Sequence, residues 1–198
     1  KKRILFVMSD TGGGHRAAAE AIREALVRRY GDRVEITLVD AFRAAGFPFK
    51  YAPEVYPWLI NNTRTSWGAG YKLLDTPSRA RLATRGIYIT AESGIKKMFR
   101  TNTADVIVCV HSILTGVTLQ ALSRFEKRPP FVTVVTDLAS THNFWYDLRA
   151  DRTLVPTQEA YDAALEAGLK EDTVRITGLP VHPRFAENLG DRDEIRKE

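Results

Sequence analysis

Residues 3–17, RILFVMSDTGGGHRA, decide how the rest of this 198-residue chain is read. Ile4 to Met8 is an apolar run of the length of one buried strand. Ser9 and Asp10 end it, and glycines stand at positions 12, 13 and 14. From Gly14 to Tyr30, Ala18, Ile22, Ala25 and Leu26 recur at helical spacing among strong helix formers. Gly31 and Asp32 break that helix. Val34, Ile36, Leu38 and Val39 then form a second strand that ends at Asp40. Strand, glycine loop, helix and strand make a βαβ unit, and such units build parallel sheets covered by helices on both faces.

The alternation resumes later in the chain. Strands are expected at 105–110, 131–136, 152–155 and 173–177, with helices at 114–125 and 157–168. Thr157 is the natural N-cap of the last helix and Gly168 its stop. The fold class is therefore α/β, a Rossmann-like parallel sheet. Residues 41–100 interrupt it. Pro48, Pro53, Pro57 and Pro77 punctuate this window, no strand pattern appears, and helices are expected between the prolines.

Charge singles out the same window. The chain carries 29 basic and 24 acidic side chains, net +5. Residues 1–100 hold 18 and 9 of these, and residues 101–198 hold 29 − 18 = 11 and 24 − 9 = 15, so a +9 half faces a −4 half. Residues 41–100 hold 10 basic against 3 acidic residues, and 10 of the 19 aromatics, including Phe42, Phe47, Phe49, Tyr56, Trp58 and Tyr71. Interleaved aromatics and cations suit an anionic membrane surface or single-stranded nucleic acid. They equally suit a helical insert whose aromatics are core and whose charges are solvated. No nucleic-acid motif accompanies them, and nucleic acid is not an expected partner. The one cysteine, Cys109, excludes an internal disulfide and a cysteine-based zinc site, which favours a reducing, cytoplasmic setting. No stretch approaches the ~18–20 apolar residues of a membrane span. His111, His142 and His182 lack metal-ligand spacing, so neither a metal nor a cofactor is expected.

The loop after the first strand has its own chemistry. A glycine-rich junction at a helix N-terminus presents backbone N–H groups and a positive helix end to an anion. It is not a Walker A loop, because no Gly-Lys-Ser/Thr follows. Gly12, Gly14 and Ala17 do satisfy G-x-G-x-x-G/A, and Asp40 closes the second strand, so an NAD(P)-type dinucleotide-binding domain of an oxidoreductase stands as an alternative. A tight turn without a ligand also fits the glycines. His15, at the helix start, suits a general base toward a hydroxyl, kept neutral by the helix end, or a cap that bonds the loop backbone.

Further segments, in order, carry a family resemblance. SDTGGGHRAAAEAI (9–22), DVIVCVH (105–111), VTVVTDLASTHNFWY (132–146) and PTQEAYDAALEAGLKEDTVRITGLPV (156–181) together resemble the monogalactosyldiacylglycerol synthase and processive diacylglycerol glucosyltransferase family. The likeness extends over residues 3–198. It implies the N-terminal half of a GT-B glycosyltransferase. Residues 1–188 would be an acceptor- and membrane-binding domain with 41–100 as its insert. Residues 189–198 would begin a linker to a nucleotide-sugar domain that this sequence does not contain, leaving the isolated chain inactive.

The implied reaction transfers a galactose or glucose from a UDP-hexose to diacylglycerol, with inversion, at a cytoplasmic membrane face. His15 matches the family's histidine and becomes the candidate base. Asp137 would orient it or bind the acceptor, unless it merely caps its loop. Thr11, Gly12, Gly13 and Gly14 would hold the donor diphosphate. Phe47, Pro48, Phe49, Trp58, His142 and Trp145 would face acceptor and membrane, with core packing the alternative for Trp145. His111 is expected to be structural. A non-catalytic module that binds anionic membranes is the remaining alternative.

Overall fold

The structure, a computed structural model, describes residues 1–11 and 13–187, without the side chains of Ile60, Arg64, Trp67 and Ala186. Gly12 and the expected linker at 189–198 lie outside the described residues. Six strands are present: β1 (Lys2–Met8), β2 (Val34–Asp40), β3 (Val106–Cys109), β4 (Phe131–Val134), β5 (Arg152–Val155) and β6 (Val174–Ile176). All neighbours pair in parallel, in the order β2-β1-β3-β4-β5-β6. Phe6 lies opposite Leu38 on one side and Val108 on the other, and Cys109 opposite Thr133. Strands β3, β4 and β6 are each two residues shorter than the runs that mark them, and β5 fills its run. Just past these ends, Val110 and Val135 still donate their N–H groups to the Val7 and Leu154 carbonyls of neighbouring strands, at 3.0 and 2.9 Å.

Alternate side chains of β1 feed opposite cores, as the two-residue repeat of a strand requires. Phe6 and Met8 pack with Ala19 of helix α1 (Gly13–Tyr30) and with Val108 and Val110. Leu5 and Val7 pack on the other face with α2 (Ala41–Ala45), α5 (Pro77–Thr101) and α6 (Ser112–Leu122). Helices thus cover both faces of the sheet. A third cluster joins Trp145 and Tyr146 to Val155 and Ala160, the latter on α7 (Gln158–Glu166), which Thr157 caps through Ala160 N–H as expected. Gly168 sits beyond α7 at φ +99°, a conformation that favours glycine.

The window 41–100 is helical apart from short joints at 46–48, 63 and 74–76. Between α2 and α5 lie a 3₁₀ turn (Phe49–Tyr51), α3 (Ala52–Asn62) and α4 (Arg64–Leu73). Pro57 stands inside α3, where the sequence suggests a break, and Pro77 opens α5 behind its N-cap Thr76. The 25-residue α5 returns the chain to the sheet. It crosses α2 so closely that a Cβ on Gly94 would lie 2.2 Å from the Ala44 carbonyl oxygen. The aromatics of the window whose side chains are described divide between core and surface, with Tyr56 and Tyr71 half-buried between them. Phe42, Tyr88 and Phe99 are buried, whereas Phe47, Tyr51 and Trp58 are exposed. Phe49 is a correction: it is half-buried and stacks on Phe42, 6.3 Å between centroids, instead of facing outward. No helix among the described residues is long and apolar enough to cross a membrane.

Candidate active site

The chain runs from β1 outward to β2, then crosses back to β3 on the other side of β1. This reversal parts the loops that follow β1 and β3, and open parallel sheets bind ligands at that crevice, at the carboxyl ends of the strands. The loop after β1 is held in advance. Ser9 Oγ accepts the Thr11 N–H at 3.2 Å, and Asp40 Oδ2 accepts the Asp10 N–H at 2.9 Å. Arg16 forks onto both Asp10 oxygens at 2.5 and 2.9 Å, which lowers the Asp10 pKa. Helix α1 begins at Gly13, so the amides of Gly13 and Gly14 belong to a first turn that has no intrahelical acceptors. A Cβ on either glycine would meet nothing within 4 Å. The space above the turn is open.

His15 stands in that first turn. Its Nδ1 lies 3.3 Å from Thr136 Oγ1, and its ring is 4.4 Å from the ring of His111 at the end of β3. His111 Nε2 pairs with Thr11 Oγ1 at 3.0 Å, and its buried Nδ1 has no partner among the described residues. Burial lowers the His15 pKa from its ordinary 6.5, while the Asp137 charge and the Val110 carbonyl pull it upward. Loss of solvent thus outweighs both groups that favour the imidazolium. The sequence argument reached the right direction through the helix end, but burial leads the causes. His111 is driven further down by its burial and by repulsion from His15.

Asp137 follows β4 and faces the same space. Its Oδ2 accepts the Trp145 Nε1–H at 2.7 Å, so the indole fixes the carboxylate that acts on His15. This corrects the placement of Trp145, which is 0% exposed and cannot meet lipid. His142 is likewise buried: its Nδ1 accepts the Phe144 N–H and its Nε2 lies 2.8 Å from the Tyr71 carbonyl, clamping α4 to the loop after β4. Asp75 reinforces the clamp by accepting from Asn143 N–H and Nδ2. Phe47 (77% exposed), Pro48 and Trp58 (60%) remain on the surface, outside the cavities described next.

Two cavities meet at these residues. One, of about 340 Å³, is walled by Phe42, Val55, Leu59 and Ile113, with Thr11, His15, His111 and Asp137 at its polar end. The other, of about 430 Å³, is bounded by Gly14, Ala17, Thr136, Leu179 and Pro180. Thr11, His15, Tyr56 and Asp137 line both. Sequence reasoning missed Tyr56, Thr136 and Ser112. The last two stand at strand ends next to singled-out residues, and the strand-end rule that selects Asp137 and His111 also reaches them. Nothing in the pattern of α3 distinguishes Tyr56 from its neighbours. Among the described residues, no group of three or more His, Cys, Asp or Glu side chains is placed to hold a metal ion.

A family model described as monogalactosyldiacylglycerol (MGDG) synthase matches residues 15–181. The chain belongs to the monogalactosyldiacylglycerol synthase family. It is 33% identical over 204 residues to a probable chloroplastic monogalactosyldiacylglycerol synthase of Glycine max, and 33% identical over 202 residues to monogalactosyldiacylglycerol synthase 2 of Arabidopsis thaliana. Both alignments take in 100% of this chain but 38% and 42% of those relatives, so the chain spans about two fifths of their length. Its backbone overlays on the apo form of the lipopolysaccharide outer core galactosyltransferase WaaB with a TM-score of 0.49 and 13% identity, over 90% of this chain and 46% of that one.

Two expectations change here. These relatives are chloroplastic by name, which overturns the cytoplasmic assignment. A lone thiol excludes an internal disulfide in any compartment and selects none. Asp40, the acidic residue of the dinucleotide alternative, serves the fold: its Oδ2 accepts the Asp10 N–H and its Oδ1 the Arg43 N–H, as the N-cap of α2.

Proposed function

We propose that this chain forms the acceptor side of a GT-B glycosyltransferase that moves a hexose from a UDP-sugar to the free hydroxyl of diacylglycerol, with inversion. The observation that carries this reading is the junction of two cavities at His15 and Asp137. One cavity is lined by apolar side chains and suits the glycerol end of a lipid. The other lies against the N-terminal turn of α1, where Gly13 and Gly14, with Thr11 beside them, suit a diphosphate. Membership of the monogalactosyldiacylglycerol synthase family supports the choice of lipid and sugar.

In this reading His15, neutral because it is buried, takes the proton of the acceptor hydroxyl as that oxygen attacks the anomeric carbon. The Asp137 carboxylate, steadied by Trp145, stabilises the imidazolium that forms. The departing diphosphate gains the amides of the α1 turn, a preorganised set of donors for charge that develops in the transition state. The exposed aromatics Phe47 and Trp58 meet the lipid surface on which the acceptor lies. The test is a transfer assay on the complete protein with UDP-galactose and UDP-glucose and vesicles containing diacylglycerol. Formation of a β-linked glycolipid from an α-linked donor is expected, and absence of any hexosyl lipid overturns the reading.

A further inference from the structure

His111 is the N-cap residue of α6 and lies at the polar end of the apolar cavity, 5% exposed. Its side chain makes no capping bond to the helix; Nε2 reaches Thr11 Oγ1 instead, at 3.0 Å. The ring also contacts Phe42, edge to face at 5.2 Å between centroids, and His15 at 4.4 Å. Burial keeps the imidazole neutral, so it carries one proton. Two tautomers are open to it. A proton on Nδ1 would leave a buried N–H without an acceptor among the described residues, an arrangement that folded proteins avoid. A proton on Nε2 donates to Thr11 and leaves Nδ1 with only an unshared lone pair. This second form sets the direction of the pair: Thr11 Oγ1 accepts from His111 and keeps its own hydrogen to donate. Among the described residues that oxygen has no second partner, and Thr11, 7% exposed, lines both cavities. Its backbone N–H is tied to Ser9 Oγ, so the hydroxyl is presented from a braced loop.

We propose that His111 is a positioning residue for glycosyl transfer, holding the Thr11 hydroxyl as an oriented donor to the diphosphate of the sugar nucleotide. This rests on the transferase reading above. The diphosphate gains charge as its bond to the anomeric carbon breaks, and a donor already turned toward it needs no reorganisation at that moment. The bond that His111 gives to Thr11 also polarises the hydroxyl and strengthens the bond that Thr11 gives in turn. No proton is transferred along this chain, which separates the role of His111 from that of His15, the base toward the acceptor hydroxyl. Because the contact serves the leaving group, its loss registers in turnover more than in the affinity for either substrate.

The experiment measures transfer by the complete protein from a UDP-hexose to diacylglycerol in vesicles, in single variants at both positions and in the double variant of Thr11→Val with His111→Phe. Thr11→Val should lower kcat about a hundredfold, as the loss of one preorganised donor does, with KM for either substrate within about threefold. His111→Phe should lower kcat about tenfold, because the hydroxyl remains and is no longer aimed. The double variant should turn over no more slowly than Thr11→Val alone, since His111 acts only through Thr11. Thr11→Ser keeps the hydroxyl and His111→Gln keeps an N–H donor, and each should recover most of the lost rate. Nitrogen NMR of the wild type, with labelled histidine, should place the His111 proton on Nε2. The inference is overturned by a proton on Nδ1, by a loss confined to KM, or by losses that multiply in the double variant. If His111→Phe fails to fold, Thr11→Val and the tautomer decide: wild-type kcat in the first, or a proton on Nδ1, overturns the inference. A wild type that transfers no hexose overturns the transferase reading and this inference with it, whereas an active wild type whose kcat survives Thr11→Val overturns the inference alone.

Discussion

At the scale of single residues, the proposed base is His15, and its protonation is what the proposed chemistry turns on. It acts as a base only when neutral. Burial holds its pKa below the ordinary 6.5, so the neutral form persists to lower pH than in a free histidine. The pH profile of kcat/KM should be flat above pH 6.5 on its acid side and fall only as pH drops through a lower value. His15→Ala should reduce kcat by about 10²–10⁴-fold and abolish that limb. The same shift appears in folding. Stability contributed by neutral His15 and His111 is fully present above about pH 6.5 and is lost as pH falls through their depressed values, a trend that urea unfolding at several pH values would measure. Gly14 supplies a sharper contrast. Since a Cβ there meets nothing, Gly14→Ala should fold normally. It should nevertheless raise KM for the UDP-sugar about tenfold, equivalent to ~1.4 kcal/mol, by intruding on the space above the α1 turn. Of these residues the Gly-His motif was legible in the chain. The Trp145–Asp137 bond was not, because whether a tryptophan points at lipid or at a carboxylate depends on the elements packed around it.

Elements were legible in proportion to how local their cause is. The apolar runs of β1 to β6 need only burial on both faces of a sheet, and all six strands are present. Helix α6 begins at Ser112, two residues before the periodic pattern suggests, because the chain leaves β3 directly into the helix after His111. Pro57 within α3 shows a proline tolerated inside a helix, where punctuation alone argued for a break. Packing between elements lies beyond any local signal. The contact of α2 with α5 depends on Gly94: its missing Cβ lets the helix approach the Ala44 and Ala45 backbone. Gly94→Ala should destabilise the fold by roughly 1–3 kcal/mol through overpacking, despite alanine's better helix propensity, and chemical denaturation would record it. An unchanged midpoint would mean that α2 yields freely, and with it the floor that Phe42 gives the apolar cavity.

For the whole molecule, the uneven charge is the property that predicts behaviour. The basic window 41–100 presents Lys50, Lys72, Arg79, Arg81 and Arg85 at the surface, together with Phe47, Tyr51 and Trp58. Each cation near an anionic leaflet is worth about 1 kcal/mol, and exposed aromatics add interfacial burial. Binding to vesicles containing anionic lipid should therefore weaken as added salt shortens the Debye length below about 8 Å. The double variant Phe47→Ser with Trp58→Ala should bind at least about tenfold more weakly at fixed salt, as sedimentation with vesicles would record. Salt-independent binding, or a double variant that binds like wild type, would remove the window from the membrane contact.

The sequence by itself determined the alternation of strands and helices, the glycine loop, the asymmetry of charge and the family, because each depends on residues close in the chain or on motifs kept in order. Only the tertiary structure decided what meets His15. The parallel order β2-β1-β3-β4 brings Thr11, His111, Thr136 and Asp137 to one crevice, although Thr11 and Asp137 are far apart in the chain. It turned Trp145 inward onto Asp137, engaged Asp40 with two backbone amides, and sorted the aromatics of residues 41–100 into core, cavity and surface. The physical reason is the same in every case. A side chain's chemistry is fixed by its type, but its solvent exposure and its partners are set by the elements that pack against it.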